Sequence, residues 1–234
     1  MLWRSFFSPP SSFREFSQRL ITELQEDVPM RNLLRIDSSA RRLGSHTKAL
    51  GDHAEALWRA QNPDGKVVSR HVGDGSIPLI SPETITGFFT PPEQITDDLR
   101  KATALSDTLI AELQAADTLL ITAPIYNFGP PAALKAWIDL ITRIGHTFAY
   151  ENGSFRGLTQ TRRALVICAY GAEGYLEGQP FAAGNFLQPY LNFLLTFLGI
   201  QDIKFVSIQA TTADEQTVNR NTTLAMLDVE AALK

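Results

Sequence analysis

The residues best suited to chemistry fall in three short stretches, each directly after an apolar run. The first is Asp37-Ser38-Ser39-Ala40-Arg41-Arg42-Leu43-Gly44-Ser45-His46-Thr47. Its hydroxyls stand where a helix must begin, and a helix start offers unpaired N–H groups and a positive dipole end that suit a phosphate dianion. Ser45 reads equally well as a plain N-cap. The stretch has neither GxGxxG nor GxxxxGK[ST], which argues against a dinucleotide-binding Rossmann turn and a P-loop. The second is Ala123-Pro124-Ile125-Tyr126-Asn127-Phe128-Gly129-Pro130-Pro131. Flat apolar side chains around one bifunctional amide suit an isoalloxazine ring, whose faces are apolar and whose pyrimidine edge needs hydrogen bonds. Buried turn aromatics would give the same pattern. The third is Ala169-Tyr170-Gly171-Ala172-Glu173-Gly174-Tyr175, where two glycines permit close backbone approach to a ligand or a simple surface turn.

Elements able to position these stretches alternate along the chain. Strands are expected at 33–37, 66–72, 118–123, 163–169 and 203–208. Helices are expected at 45–60, 92–115, 131–144, 186–198 and 213–233, with Ser106 as an internal cap in the second of them. A Gly-, Pro- and Ser-rich loop is expected from 73 to 92. Strands alternating with helices imply an α/β fold whose parallel sheet is covered on both faces. Ligands then bind beyond the carboxyl ends of the strands, where all three stretches lie. Residues 1–29 differ in character, with Trp3, Phe6, Phe7, Phe13 and Phe16 among serines and prolines. They are expected to form an extension outside the fold, with one domain spanning 30–234.

Composition narrows the function. The 234 residues carry 21 Lys and Arg against 25 Asp and Glu, a net charge of −4 without a basic cluster, so nucleic acid is not an expected partner. The single cysteine, Cys168, makes neither an intrachain disulfide nor a Cys-rich zinc site. His46, His53, His71 and His146 lack metal-ligand spacing, and no metal is expected. No apolar run reaches the roughly 20 residues of a membrane helix. A reduced, cytoplasmic location is the expectation. Cys168 reads as a packing residue, Trp137 as core or dimer interface, His146 as structural, and Lys135 as half of a surface ion pair rather than a flavin ligand.

Three longer stretches carry a family resemblance: SSARRLGSHT at 38–47, APIYNFGPPAALKAWID at 123–139 and GHTFAYENGSFRGL at 145–158. With them the chain from about residue 30 onward resembles the FMN-dependent NADH-azoreductases, or NADH:quinone oxidoreductases, of the flavodoxin-like superfamily. The resemblance implies a three-layer sandwich with a five-stranded parallel sheet of order 2-1-3-4-5. It implies a homodimer with one non-covalent FMN per subunit and no catalytic side chain, since the flavin carries the chemistry. Ser39, Ser45, His46 and Thr47 would hold the phosphate, and Ile125, Tyr126, Asn127 and Phe128 the ring. Ala169, Tyr170, Gly171 and Ala172 would form the third flavin loop, and Phe148 and Phe197 would line the acceptor pocket. The implied reaction moves two electrons from NADH or NADPH to quinones and azo compounds by a ping-pong cycle. The third loop departs from the Ser-Arg-Gly-Gly of the bacterial type, which leaves the donor preference open. The competing reading is a non-catalytic flavodoxin-like electron carrier or redox-sensing flavoprotein.

Overall fold

A computed structural model describes residues 31–234. The extension expected at 1–29 lies outside the described residues. In chain order the elements are β1 Asn32–Asp37, α1 His46–Gln61, β2 Lys66–His71, α2 Pro82–Phe89, α3 Asp97–Gln114, β3 Thr118–Pro124 and α4 Ala132–Ile141. They continue with β4 Phe148–Glu151, β5 Ser154–Gly157, β6 Arg163–Ala169, α5 Gln188–Phe197, β7 Asp202–Ile208 and α6 Glu215–Ala232. Five strands pair in parallel in the order β2-β1-β3-β6-β7. This is the expected 2-1-3-4-5 arrangement, renumbered because β4 and β5 form a separate antiparallel hairpin.

Side chains of a strand alternate between faces, so the central strands β1, β3 and β6 serve two cores. Leu34, Ile36, Leu119, Ile121, Val166 and Cys168 turn toward α3, α4 and α5, where Leu109, Leu113, Leu134, Trp137 and Leu191 meet them. Leu33, Leu120, Leu165, Ile167 and Val206 turn toward α1 and α6, against Leu50, Ala54, Trp58, Ala225 and Val229. The result is the expected three layers, with the sheet buried on both sides.

Three local expectations need correction. Residues 82–89 are helical rather than loop. The Ser81 side chain caps Thr84 N–H and Pro82 stands in the first turn, a start signal that outweighs the flanking Gly and Pro. The next helix begins at Asp97 behind a Thr96 cap, and Ser106 caps nothing. Its buried hydroxyl donates to the Leu140 carbonyl at 2.7 Å and fastens α3 to α4. The helix expected to reach residue 144 ends at Ile141, because Thr147 folds back: its hydroxyl donates to the Ile141 carbonyl at 2.6 Å and accepts from Arg143 N–H at 3.0 Å.

Candidate functional site

At the carboxyl edge of the sheet, the loops after β1, β3, β6 and β7 converge on a polar cleft of about 190 Å³. Ser39, Arg41, Gly44, Ser45, His46 and Thr47 form one wall. Pro124, Ile125 and Tyr126 form the second, Ala169 and Gly171 the third, and Thr211 and Thr212 close the fourth.

The first wall is organised by the start of α1. Ser45 is its N-cap, and the hydroxyl accepts from Lys48 N–H at 3.3 Å and pairs with the Thr47 hydroxyl at 3.2 Å. The His46 and Thr47 amides find no acceptor among the described residues, as the first turn of a helix leaves them. Thr47 itself is buried. The Arg41 cation and the His46 imidazole line the same volume. Burial, and then the neighbouring Arg41 charge, hold the His46 imidazole below its ordinary pKa, so it is neutral at pH 7 in the free protein.

An ionic cluster beneath the cleft fixes the angle between β1 and α1. The buried Arg35 guanidinium pairs with Asp37 at 3.1 Å, Asp52 at 2.8 Å and Glu55 at 3.0 Å. Asp37 also accepts from the Thr122 hydroxyl at 2.8 Å, which ties the end of β1 to β3. Gly73 presses on the loop from the side: a Cβ there would stand 2.3 Å from the Ser39 carbonyl oxygen. Only glycine permits that approach.

Strained backbone frames the rim. Asn127 and Phe128 both adopt left-handed conformations, with φ of 47° and 75°. Reciprocal bonds close the turn, Tyr126 N–H to the Gly129 carbonyl at 3.0 Å and Gly129 N–H to the Tyr126 carbonyl at 3.1 Å. Left-handed φ costs an L residue about 1–2 kcal/mol. Phe186 N–H donates to the Phe128 carbonyl at 2.9 Å and helps impose the shape. Ala210, just before the two threonines, has φ of 57°. Strain of this kind persists where the surroundings over-determine it, and it concentrates at functional sites.

Of the expected site residues, Ser39, Ser45, His46, Thr47, Ile125, Tyr126, Ala169 and Gly171 share this cleft. Asn127 faces an adjoining cavity, to which Tyr126 also contributes. Phe128 stands exposed on the far side of the turn, and Ala172 is exposed outside the cleft walls. Tyr170 follows strand alternation. Ala169 turns to the α1 side and the cleft, and Tyr170 turns to the opposite core, where it is fully buried. Its ring stacks on Tyr175 at 5.2 Å and its hydroxyl accepts from Asn185 Nδ2 at 3.2 Å. Burial raises the pKa of both the Tyr170 phenol and the Cys168 thiol, the latter to about 12, so both stay protonated. Cys168 is packing, as expected.

Phe148 and Phe197 lie elsewhere. They touch each other at 4.9 Å and join Phe155 and Phe193 in an aromatic cluster where the β4–β5 hairpin meets the end of α5. The hairpin base is bound to the end of α3: Gln114 Nε2 donates to the His146 and Leu158 carbonyls at 3.0 and 3.3 Å. That is the amino edge of the sheet, opposite the cleft. Thr211 and Thr212 are the site residues that sequence reasoning missed. Their hydroxyls donate to the Tyr170 and Gly171 carbonyls at 3.1 and 2.9 Å, pinning the third loop. The rule that post-strand loops converge was the one signal for them.

A family model described as "Flavodoxin-like fold" matches residues 31–231. The chain is 52% identical over 175 residues to an FMN-dependent NADH:quinone oxidoreductase of Xanthobacter autotrophicus, covering 75% of this chain and 84% of that one. It is 41% identical over 182 residues to a protein of the same description from Acidobacterium capsulatum, covering 78% and 87%. Among solved structures, an FMN-dependent NADH-azoreductase from Bacillus anthracis in complex with FMN superposes with a TM-score of 0.77 at 24% identity, covering 87% of this chain and 98% of that one. At that identity the likeness concerns the fold.

Proposed function

The chain belongs to the FMN-dependent NADH:quinone oxidoreductase family of flavodoxin-like fold, and from that premise we propose that it reduces quinones and azo compounds with NADH or NADPH by a ping-pong cycle. It is an oxidoreductase and a flavoprotein. The observation that carries the reading is the convergence of the unpaired α1 amides, the Ser39, Ser45 and Thr47 hydroxyls and the Ile125–Tyr126 segment on one cleft. These residues fit FMN: the donors suit its phosphate, and the flat apolar turn suits its ring.

When bound, FMN would supply two-electron redox chemistry between the nicotinamide and the acceptor. This chain binds, orients and shields it. Ser39, Ser45, His46 and Thr47 hold the phosphate, with His46 taking a proton there as the dianion raises its pKa. Ile125, Tyr126, Asn127 and Phe128 would orient the ring through a turn fixed by the reciprocal Tyr126–Gly129 bonds and by Phe186. Ala169, Gly171 and Ala172 contribute backbone on the third side, and Tyr170 supports them from the core rather than by contact. One FMN binds each subunit without a covalent bond.

The homodimer belongs to the same proposal. Phe148 and Phe197, at the amino edge, line an acceptor pocket only if they reach the cleft of a second subunit. Phe155 and Phe193 in the same cluster are 60% and 69% exposed, a surface that suits such a contact. Trp137 and Ile138 do not add to it, because both are buried in the core of their own subunit. A cytoplasmic location accords with the single, reduced cysteine.

The test is to purify the protein with FMN and titrate it anaerobically with NADH and NADPH. Acid precipitation should release FMN, and the flavin bands should bleach at one reduced nicotinamide per subunit. FAD in the acid supernatant, or flavin that neither donor bleaches, would overturn the reading.

A further inference from the structure

Arg35 stands where a buried strand would ordinarily carry an apolar side chain. Alternation along β1 turns it to the same side as Leu33, against α1, and it is only 4% exposed. Its guanidinium is planar, with donors in fixed directions. Nε and Nη2 hold the two carboxylate oxygens of Asp37, at the end of the same strand, at 3.1 Å each. Nη1 holds Glu55 at 3.0 Å, and Nη2 also reaches Asp52 at 2.8 Å and the Lys48 carbonyl at 3.3 Å. Lys48 belongs to the first turn of α1, and its N–H is the one that Ser45 caps. One side chain therefore joins the end of β1 to the turn whose His46 and Thr47 amides stay unpaired.

Gly51 is an independent sign that this contact sets the height of the helix. Glycine weakens a helix interior relative to alanine, yet Gly51 is buried in the second turn of α1. A Cβ there would stand 2.6 Å from Thr122 Cγ2 and 3.1 Å from Arg35 Nη2. Thr122 is buried too, and its hydroxyl is tied to Asp37 at 2.8 Å. Lacking a Cβ at this point, the helix rests directly on the guanidinium and on β3. The backbone of the Ile125–Phe128 segment is anchored separately, through Ala169, Gly129 and Phe186. The two facing walls of the cleft thus have different supports.

We propose that Arg35 is a positioning residue: it sets the first turn of α1 against the cleft, and through that turn it makes the protein prefer a phosphorylated flavin to an unphosphorylated one. The inference rests on the flavin reading above. Arg35 acts through Lys48 and the helix start, which hold the phosphate, whereas the ring leans on the other wall. Loss of the strut should cost phosphate affinity and spare the ring. General loosening of the fold would weaken both.

The test is to titrate apoprotein of the full chain with FMN and with riboflavin, which shares the ring and lacks the phosphate, by flavin fluorescence. The wild type should favour FMN. Gly51→Ala keeps every charge and gains helix propensity, yet it lifts α1 from its seat. Its preference for FMN should fall by roughly ten- to a hundredfold, the effect of losing one hydrogen bond to a charged group, with riboflavin affinity unchanged. Arg35→Gln should do the same, and Arg35→Lys, which keeps the charge without the fork, should recover part of the preference. Should Arg35→Gln fail to fold, because Asp37 and Glu55 lose their buried partner, Gly51→Ala decides. Arg59→Gln is the control: Arg59 pairs with Glu55 from the exposed side and should leave the ratio unmoved. An equal loss in that control would assign the effect to net charge and overturn the proposal. So would an unaltered FMN preference in Gly51→Ala and Arg35→Gln, or equal weakening of the two flavins. Failure of the flavin reading looks different: the wild type itself binds FMN no better than riboflavin, which overturns both.

Discussion

The two edges of the sheet are built from different materials. The carboxyl edge carries hydroxyls, unpaired amides, the Arg41 cation and the His46 imidazole around a cleft, with left-handed backbone close by. The amino edge carries a short hairpin and a cluster of phenylalanines, with Phe155 and Phe193 largely exposed. The first has directional groups waiting for a small anion. The second has non-directional area of the sort another protein surface covers. On the proposed reading, one edge would hold the cofactor and the other would offer the wall of a neighbour's pocket.

The sharpest way to break this division is at the polar edge. Ser45→Ala combined with Thr47→Ala removes two hydroxyls from the phosphate wall. Each lost hydrogen bond to a charged group is worth about 1.5–3 kcal/mol, so FMN affinity should fall by roughly two to four decades. Fluorescence titration of apoprotein with FMN measures it, and circular dichroism should report an intact fold. Unchanged affinity would move the phosphate elsewhere.

Gly73→Ala asks whether the loop must be pressed into shape. The new Cβ meets the Ser39 carbonyl, and overpacking costs about 1–3 kcal/mol. If the loop yields, FMN affinity should drop by roughly one to two decades. Gly75→Ala is the control: its φ of 82° is strained, but open space surrounds it, so it should lower stability and spare the flavin.

At the other edge, Phe155→Ser with Phe193→Ser should leave FMN binding intact and raise the dimer dissociation constant by roughly one to two decades, as loss of two buried interface aromatics would. Light scattering and quinone reductase activity should be followed through one dilution series. A fully active monomer would end the shared-pocket account and with it the roles given to Phe148 and Phe197.

The smallest effect is a pH dependence at His46. Its folded pKa lies below the ordinary 6.5, so the unfolded chain binds a proton that the folded chain refuses. Stability is therefore full above about pH 6.5 and declines as the pH falls toward the depressed value. His46→Asn should flatten that slope in apoprotein melting curves. Saturating FMN should reduce it in the wild type, because the phosphate dianion favours the imidazolium. A slope unaltered by His46→Asn would assign it to another group.

Some elements were legible and left unread. Ser81-Pro82-Glu83 is a helix start, yet the glycines and prolines around it read as loop. Asn152-Gly153 sits at the tip of the β4–β5 hairpin with φ of 54° and 79°, the pair a two-residue hairpin turn demands. Gly73 could not be read at all, because its reason is the Ser39 carbonyl of another loop. Hydropathy alone does not separate Trp137, in the core, from Phe193, at the surface.

The sequence by itself determined the alternation of strands and helices, and with it the parallel sheet, because buried strands and amphipathic helices differ in period. It also placed the loops after the first, third and fourth strands at the carboxyl edge, where they line one cleft. Tertiary structure alone decided what each residue in those loops faces. Ala169 and Tyr170 are neighbours in sequence, yet strand alternation sends one to the cleft and the other to the opposite core. Thr211 and Thr212 reach the cleft only because β7 pairs beside β6, and Phe148 and Phe197 stand away from it only because α4 and α5 each cross the full sheet. Local patterns specify an element through contacts a few residues apart, whereas a site is made of contacts between distant segments, which no local period encodes.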